Sequence, residues 1–269
     1  MEPQSLWTNE SPRLHLRAWE GEGFPLLLAH GMAANAHWWD KVAPALCGAF
    51  RPVGVDFHGH GDSEWAVDGL YGPERYVENI ETARRALGWE KMALAGHSMG
   101  ARIALEYARL HPERVTRLVA VDFLAGSFDS KSARFERIMR RPQPVYSTVE
   151  AMMDRFRLEP DASLLSPEEL REFARHCVRK LEKGYSWKFD WRGFIFKAQE
   201  SWPSLPQIQT PTLVVRGERS TVMPRDEFDA VVKAIPGASG LDIKGAHHHV
   251  PLDAPQELAQ AMRKHLLGD

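Results

Sequence analysis

Short apolar runs and helix-spaced stretches alternate along the chain. Pro25-Leu26-Leu27-Leu28-Ala29 is a continuous apolar run that stops at Gly31, the pattern of a strand buried on both faces. Arg51 to Asp56 and Met92 to Ala95 repeat the pattern, and Val115 to Val121 is the strongest of the set. Between them, Tyr76, Val77, Ile80, Ala83 and Leu87 recur at helical spacing until Gly88 stops the helix. Ala101 to Arg109 predicts a second helix, ended by His111-Pro112. Arg13 to Trp19 alternates weakly and reads as an edge strand, and His37 to Leu46 reads as a helix. After Pro211 come a strand at Thr212–Arg216, a helix at Asp226–Ile235, a strand at Gly240–Ile243 and a closing helix at Pro255–Leu267.

The stretch from Ala125 to Gln207 breaks this alternation. It loses the short apolar strands, becomes rich in Arg, Glu, Phe and Trp, and predicts helices around Ser132–Arg140, Thr148–Phe156 and Pro167–Leu181. Interleaved strands and helices imply an α/β fold, with a mostly parallel, doubly wound sheet carrying helices on both faces. Residues 1–124 and 208–269 are therefore expected to form the core domain, and 125–207 an inserted helical cap. An insertion after a strand's C-terminal end is well placed to act as a lid over a site.

Composition excludes several function classes. The 269 residues, 43% apolar and 26% charged, suffice for a large core without staples. Lys+Arg of 34 against Asp+Glu of 36 leaves a net charge of −2, so no basic face offers itself to nucleic acid. The two cysteines, Cys47 and Cys177, are far apart and outside any metal-ligand spacing, which excludes a disulfide framework and suits a reducing compartment. Met1 to Pro12 has neither a basic n-region nor an apolar h-region, and no apolar run is long enough to span a bilayer. A soluble cytoplasmic protein without nucleic-acid or membrane partners is the expectation.

Chemistry enters at Gly96-His97-Ser98-Met99-Gly100, a G-x-S-x-G match that follows one predicted strand and precedes a helix. A serine on so sharp a turn needs neighbours without bulk, and the turn aims the first helical amides at the serine's reaction partner. The plain structural alternative is a glycine-flanked turn with a solvated serine. His30-Gly31-Met32 follows the early buried strand, where the Met32 N–H could pair with the Met99 N–H as an oxyanion hole. Near the C-terminus, His247-His248-His249 lies between the last strand and the last helix, where a histidine can serve Ser98 as general base. Three adjacent histidines also suit a metal, though an internal loop lacking further paired ligands favours the base. His58-Gly59-His60-Gly61-Asp62 fits the H-x-H-x-D spacing of metallohydrolases, but the same residues are explained as a glycine-rich turn and that reading leaves Ser98 unused. No metal and no cofactor is expected.

Taken together, the chain resembles the α/β-hydrolase superfamily over its whole length, bacterial carboxylesterase-like members with a helical cap in particular. The resemblance rests on His30-Gly31-Met32, on Asp56-Phe57-His58-Gly59-His60-Gly61-Asp62-Ser63, which looks like the family's D-x-x-G-x-G-x-S turn, on the elbow at Ser98 and on the C-terminal histidine loop. The family commonly places its histidine seven residues before the proline of the last helix and five before an acid, and Pro255 and Asp253 both point to His248. His249 then reads as a pocket-lining neighbour. Trp187-Lys188-Phe189-Asp190 is similar to cap segments of ester-hydrolase-like members. The resemblance also implies a triad acid just after Thr212–Arg216, near Ser220 or Thr221, and neither is acidic. Asp122, at the end of the preceding strand, is the favoured replacement; Glu218 is the other candidate, and a Ser–His pair without an acid is the third possibility.

These residues predict a serine hydrolase of carboxylic esters or thioesters, with Ser98 as nucleophile, His248 as base, Asp122 as displaced acid and the Met32 and Met99 amides holding the oxyanion. A small-molecule ester or thioester is the expected partner. The alternatives are a ligand sensor or partner-binding protein that has given up turnover, and a C–C hydrolase or lyase using the same site. Phe128, Phe135, Met139, Met152, Met153, Phe156, Tyr185, Trp187, Phe189, Trp191, Phe194 and Phe196 offer an apolar pocket or, more commonly for such side chains, packing of the cap on the core. Arg134–Arg141 offers a basic face for an anionic substrate or for solvent.

Overall fold

The computed structural model describes residues 2–126, 128–129, 142–194, 197–198 and 200–268. An eight-stranded sheet runs through it in the order β1-β2-β4-β3-β5-β6-β11-β12. These strands are β1 (Gln4–Trp7), β2 (His15–Ala18), β3 (Phe24–Ala29), β4 (Phe50–Val55), β5 (Met92–His97), β6 (Val115–Val121), β11 (Thr212–Gly217) and β12 (Ser239–Ile243). β1 and β2 pair antiparallel, as do β2 and β4; every other pairing in the sheet is parallel.

The continuous apolar runs lie at the centre because both faces of those strands are covered. Leu27 and Ala29 of β3 pack on one side with Tyr76, Ile80 and Ala83 of α1 (Pro73–Ala86) and Ile103, Ala104 and Tyr107 of α2 (Met99–Leu110). Leu26 and Leu28 face the opposite way, among Trp39, Leu46 and the Leu258 and Met262 side chains of the C-terminal helix Pro255–Leu267. Each leucine so enclosed contributes roughly 1.5–3 kcal/mol of burial. α2 packs against β5 and β6, which fixes the direction in which its N-terminus points.

The chain leaves the sheet after β6 and re-enters it at β11, its immediate neighbour. Between them lie a two-residue pairing of β7 (Phe128–Asp129) with β10 (Lys197–Ala198), the helices α3 (Val149–Met153) and α4 (Pro167–Ala174), and a hairpin of β8 (Val178–Leu181) and β9 (Gly184–Trp187). α5 (Arg225–Ala234), α6 (Val250–Asp253) and α7 (Pro255–Leu267) complete the helices of the C-terminal part. The helix expected at Ser132–Arg140, the basic stretch Arg134–Arg141 and the side chains of Phe135, Met139 and Phe196 lie outside the described residues.

Three elements differ from their sequence reading. Arg13–Trp19 is not the sheet edge: β2 lies between β4 and β1, and β1 escaped notice because all four of its residues are exposed and carry no buried alternation. His37–Leu46 is not one helix but two short 3₁₀ turns, Ala36–Trp39 and Ala43–Leu46. Pro44 has no N–H to continue a helix and disfavours helical backbone at Ala43. The helix expected through Leu181 stops at Ala174, and the chain turns into the β8–β9 hairpin, where Gly184 takes φ +102°. The insertion therefore contains strands as well as helices.

Candidate active site

Ser98 sits between β5 and α2 with φ 54° and ψ −119°, so the strand's direction is reversed into the helix at a single residue. Only a glycine fits two positions later: a Cβ on Gly100 would stand 2.5 Å from the carbonyl oxygens of both Ala29 and His30. This close approach presses the start of α2 against the end of β3. Met99 is the first residue of α2, so its N–H is one of the helix's unpaired amides. Met32 lies in the loop after β3, and this loop passes close by Ser98: a Cβ built on Gly31 would stand 3.2 Å from the Ser98 Cβ.

His248 lies in the loop between β12 and α6. Its Nε2 is 3.1 Å from the Ser98 Oγ, and its Nδ1 is 2.8 Å from Asp122 Oδ1. Asp122 follows the last residue of β6, with φ 41°, and is completely buried. Its other partners are the Ser220 hydroxyl, 2.6 Å from Oδ1, and the Gly217 N–H, which donates to Oδ2 at 2.7 Å. A buried carboxylate is tolerable only when it is so satisfied. Ala33, in the loop after Met32, is the third non-glycine residue with positive φ, at 57°, among the described residues.

The structure thus brings Ser98, His248 and Asp122 into one hydrogen-bonded chain and sets Met99 and the Met32 loop beside it. It does not bring Glu218 there: that side chain is exposed, and its Oε2 accepts the Gly245 N–H at 2.8 Å. A hydroxyl bonded to an imidazole whose other nitrogen faces a carboxylate can be deprotonated as it attacks an electrophile.

Two participants were missed in the sequence. Ser220 is not acidic, yet its hydroxyl donates to the Asp122 carboxylate that stands across from it. His97, the variable residue of the G-x-S-x-G run, is 2% exposed and donates from Nε2 to the His248 carbonyl at 2.9 Å, pinning the histidine loop to the elbow. Burial, with a smaller contribution from His248, keeps the His97 imidazole well below its ordinary pKa. Burial likewise drives His249 down to about 4; its Nε2 meets the Pro160 carbonyl at 2.8 Å, and its Nδ1 has no hydrogen-bond partner. Asp253 braces the same loop, accepting the His247 N–H through Oδ2 and the Ser163 hydroxyl and Leu164 N–H of the insertion through Oδ1.

The D-x-x-G-x-G-x-S run folds as a turn around Asp56. This carboxylate accepts the Ala36 and Asp62 N–H groups and faces His15 Nδ1 at 2.8 Å, while the Ser63 hydroxyl donates to the Asp56 carbonyl. Burial pushes its pKa upward, but the His15 hydrogen bond and charge, aided by His30, outweigh it and hold the group at about 2. Asp62 pairs with Lys188 of the insertion at 2.5 Å, and His58, His60 and Asp62 do not converge as a ligand set among the described residues. The groups that do converge there are His97–His248–His249, His37–Asp40–His176 and His15–Asp56–Asp62.

Comparison with known proteins agrees with this architecture. Esterase Rv0045c of Mycobacterium tuberculosis is 26% identical over 254 residues, covering 91% of this chain and 83% of that protein. A 2-hydroxymuconate semialdehyde hydrolase of Pseudomonas putida is 37% identical over 115 residues, 40% of each chain. The crystal structure of E-2-(acetamidomethylene)succinate hydrolase superposes with a TM-score of 0.84 over 99% of this chain and all of that one, at 21% identity, which speaks for the fold alone. The family model of the alpha/beta hydrolase fold matches residues 25–255, and with the elbow, sheet order and histidine loop in place the chain belongs to the alpha/beta hydrolase family.

Proposed function

We propose that this protein is a serine hydrolase of small-molecule carboxylic esters or thioesters, with Ser98 as nucleophile, His248 as general base and Asp122 as the triad acid. The observation that carries the reading is the hydrogen-bonded chain from Ser98 Oγ through His248 to Asp122, at 3.1 and 2.8 Å. His248 Nε2 takes the hydroxyl proton as Ser98 Oγ bonds to the substrate carbonyl carbon. The oxyanion that forms lies toward the Met32 and Met99 N–H groups. Collapse expels the alcohol or thiol, which leaves with the proton from His248. Water, deprotonated by the same nitrogen, then releases the acid and restores Ser98. Residues 125–207 act in this reading as a cap that shapes the substrate site.

A C–C hydrolase using the same three residues is the second reading. It is favoured by the 37% identity, over 115 residues, to the 2-hydroxymuconate semialdehyde hydrolase. A fluorophosphonate probe should label the protein at Ser98 and leave Ser98→Ala unlabelled. A panel of esters of graded acyl length, run beside vinylogous diketone substrates, separates the two readings. Labelling at another residue, or undiminished turnover by Ser98→Ala, would sink both.

A further inference from the structure

We infer that His97, His248 and His249 form a binding site for a divalent ion of the zinc type, and that an ion held there blocks Ser98 chemistry by occupying the general base. The three side chains come from two elements, the elbow and the histidine loop, and each offers one ring nitrogen; these nitrogens lie within 4.8 Å of one another.

Hydrogen bonding dictates which atoms face the ion. His97 Nε2 meets the His248 carbonyl and His249 Nε2 meets the Pro160 carbonyl. A carbonyl only accepts, so both Nε2 atoms carry the hydrogen, and in a neutral ring the lone pair is then on Nδ1. The Nδ1 atoms of His97 and His249 are buried and have no hydrogen-bond partner. The third ring faces Asp122 through Nδ1, leaving Nε2 toward Ser98. Every imidazole therefore has its far nitrogen fixed by a carbonyl or a carboxylate, the arrangement that orients histidines around zinc.

Tetrahedral zinc–nitrogen bonds of ~2.0–2.1 Å put ligand nitrogens roughly 3.4 Å apart, so small ring rotations close the set and leave the fourth position to water. Ser98 is partly exposed, which gives an ion the same approach as a substrate. The other two convergent groups are already spent. Asp56 is saturated by the Ala36 and Asp62 amides and His15, and Asp40 is held by Arg17 and His37.

The binding stands on geometry alone, whereas the inhibition rests on the serine-hydrolase reading, so both are measured. Zinc titration calorimetry and the visible absorption of bound cobalt(II) should show one ion per chain with a tetrahedral spectrum. His249→Phe, which keeps the ring volume without a ligand atom, should weaken zinc binding about 100-fold or more; His249→Leu serves if the first variant does not fold. His176→Ala, which removes a ligand of the His37–Asp40–His176 group, should bind as the wild type does. Zinc should also slow fluorophosphonate labelling of Ser98 in the wild type and leave His249→Phe labelling unaffected. Unchanged zinc affinity in the His249 variants, or affinity lost in His176→Ala, overturns the site. If Ser98 takes no label even without zinc, the hydrolase reading fails, and the cobalt titration still decides the site.

Discussion

Asp122 is held by three donors, and removing its charge differs from removing a donor. In Asp122→Asn the amide no longer fixes the imidazole tautomer or stabilises its cation, so kcat should fall steeply, roughly 10⁴-fold by analogy with serine proteases. Ser220→Ala takes away one hydrogen bond to a charged group and should cost about tenfold, the order of 1.4 kcal/mol. Glu218→Gln should change turnover little, since that side chain caps Gly245 at the surface. Steady-state kinetics on the three folded variants checks the set; near-normal turnover in Asp122→Asn with loss in Glu218→Gln would reassign the acid. Ser98 and His248 are legible in the sequence because their signals are local, a five-residue turn and a spacing to Pro255. The acid stays open between two strand ends because its relation to His248 spans 126 residues and exists only once β6 and β11 lie side by side.

At the scale of elements, legibility follows burial. The central strands announce themselves as apolar runs because both faces are covered, while β1 is silent because none of its residues is buried. The 3₁₀ turns around Pro44 and the β8–β9 hairpin are set by backbone chemistry at single residues, which hydrophobic spacing does not register. Gly217, the last residue of β11, shows how such a detail reaches the site. A Cβ there would stand 2.1 Å from the His247 carbonyl oxygen, and the Gly217 N–H donates to Asp122. Gly217→Ala should therefore push the histidine loop away from the acid. Because a misplacement of about 1 Å can cost 10²-fold, kcat should drop by that order while the sheet stays folded. Circular dichroism and kinetics on the same preparation test this; a variant that folds and turns over normally would show that the loop tolerates the shift.

Across the whole molecule, histidine burial sets the response to acid. His30, His60, His97 and His249 are all buried, and burial lowers the pKa of each below the ordinary 6.5. Unfolding returns them to water, where they protonate near that value, so the unfolded chain binds more protons than the folded one as pH falls. Stability from these groups is full above pH ~6.5 and is lost below it. Asp56 acts at lower pH: held at about 2, it contributes above its ordinary value near 4 and loses the contribution only as pH falls toward 2. Thermal unfolding should thus shift downward by roughly 5 °C or more between pH 7.5 and 5, at 2–4 °C per kcal/mol for a chain of this size. His60→Phe should shallow that slope. A Tm flat across this range would mean that these rings reach solvent in the folded state. None of this is visible in a net charge of −2, which counts histidines as neutral wherever they lie.

Among the described residues, the three non-glycine residues with left-handed backbone are Ala33, in the loop that carries Met32, and two of the proposed triad members, Ser98 and Asp122. Side chains disfavour such conformations by about 1–3 kcal/mol each, and glycine does not. Two of the proposed triad positions are thus among the least comfortable in the fold, and on that reading selection for heat resistance would press against selection for turnover at the same positions. Ser98→Gly should raise the melting temperature while abolishing activity, measurable by differential scanning calorimetry beside an ester assay. A screen for robustness alone would accordingly collect dead variants first at position 98.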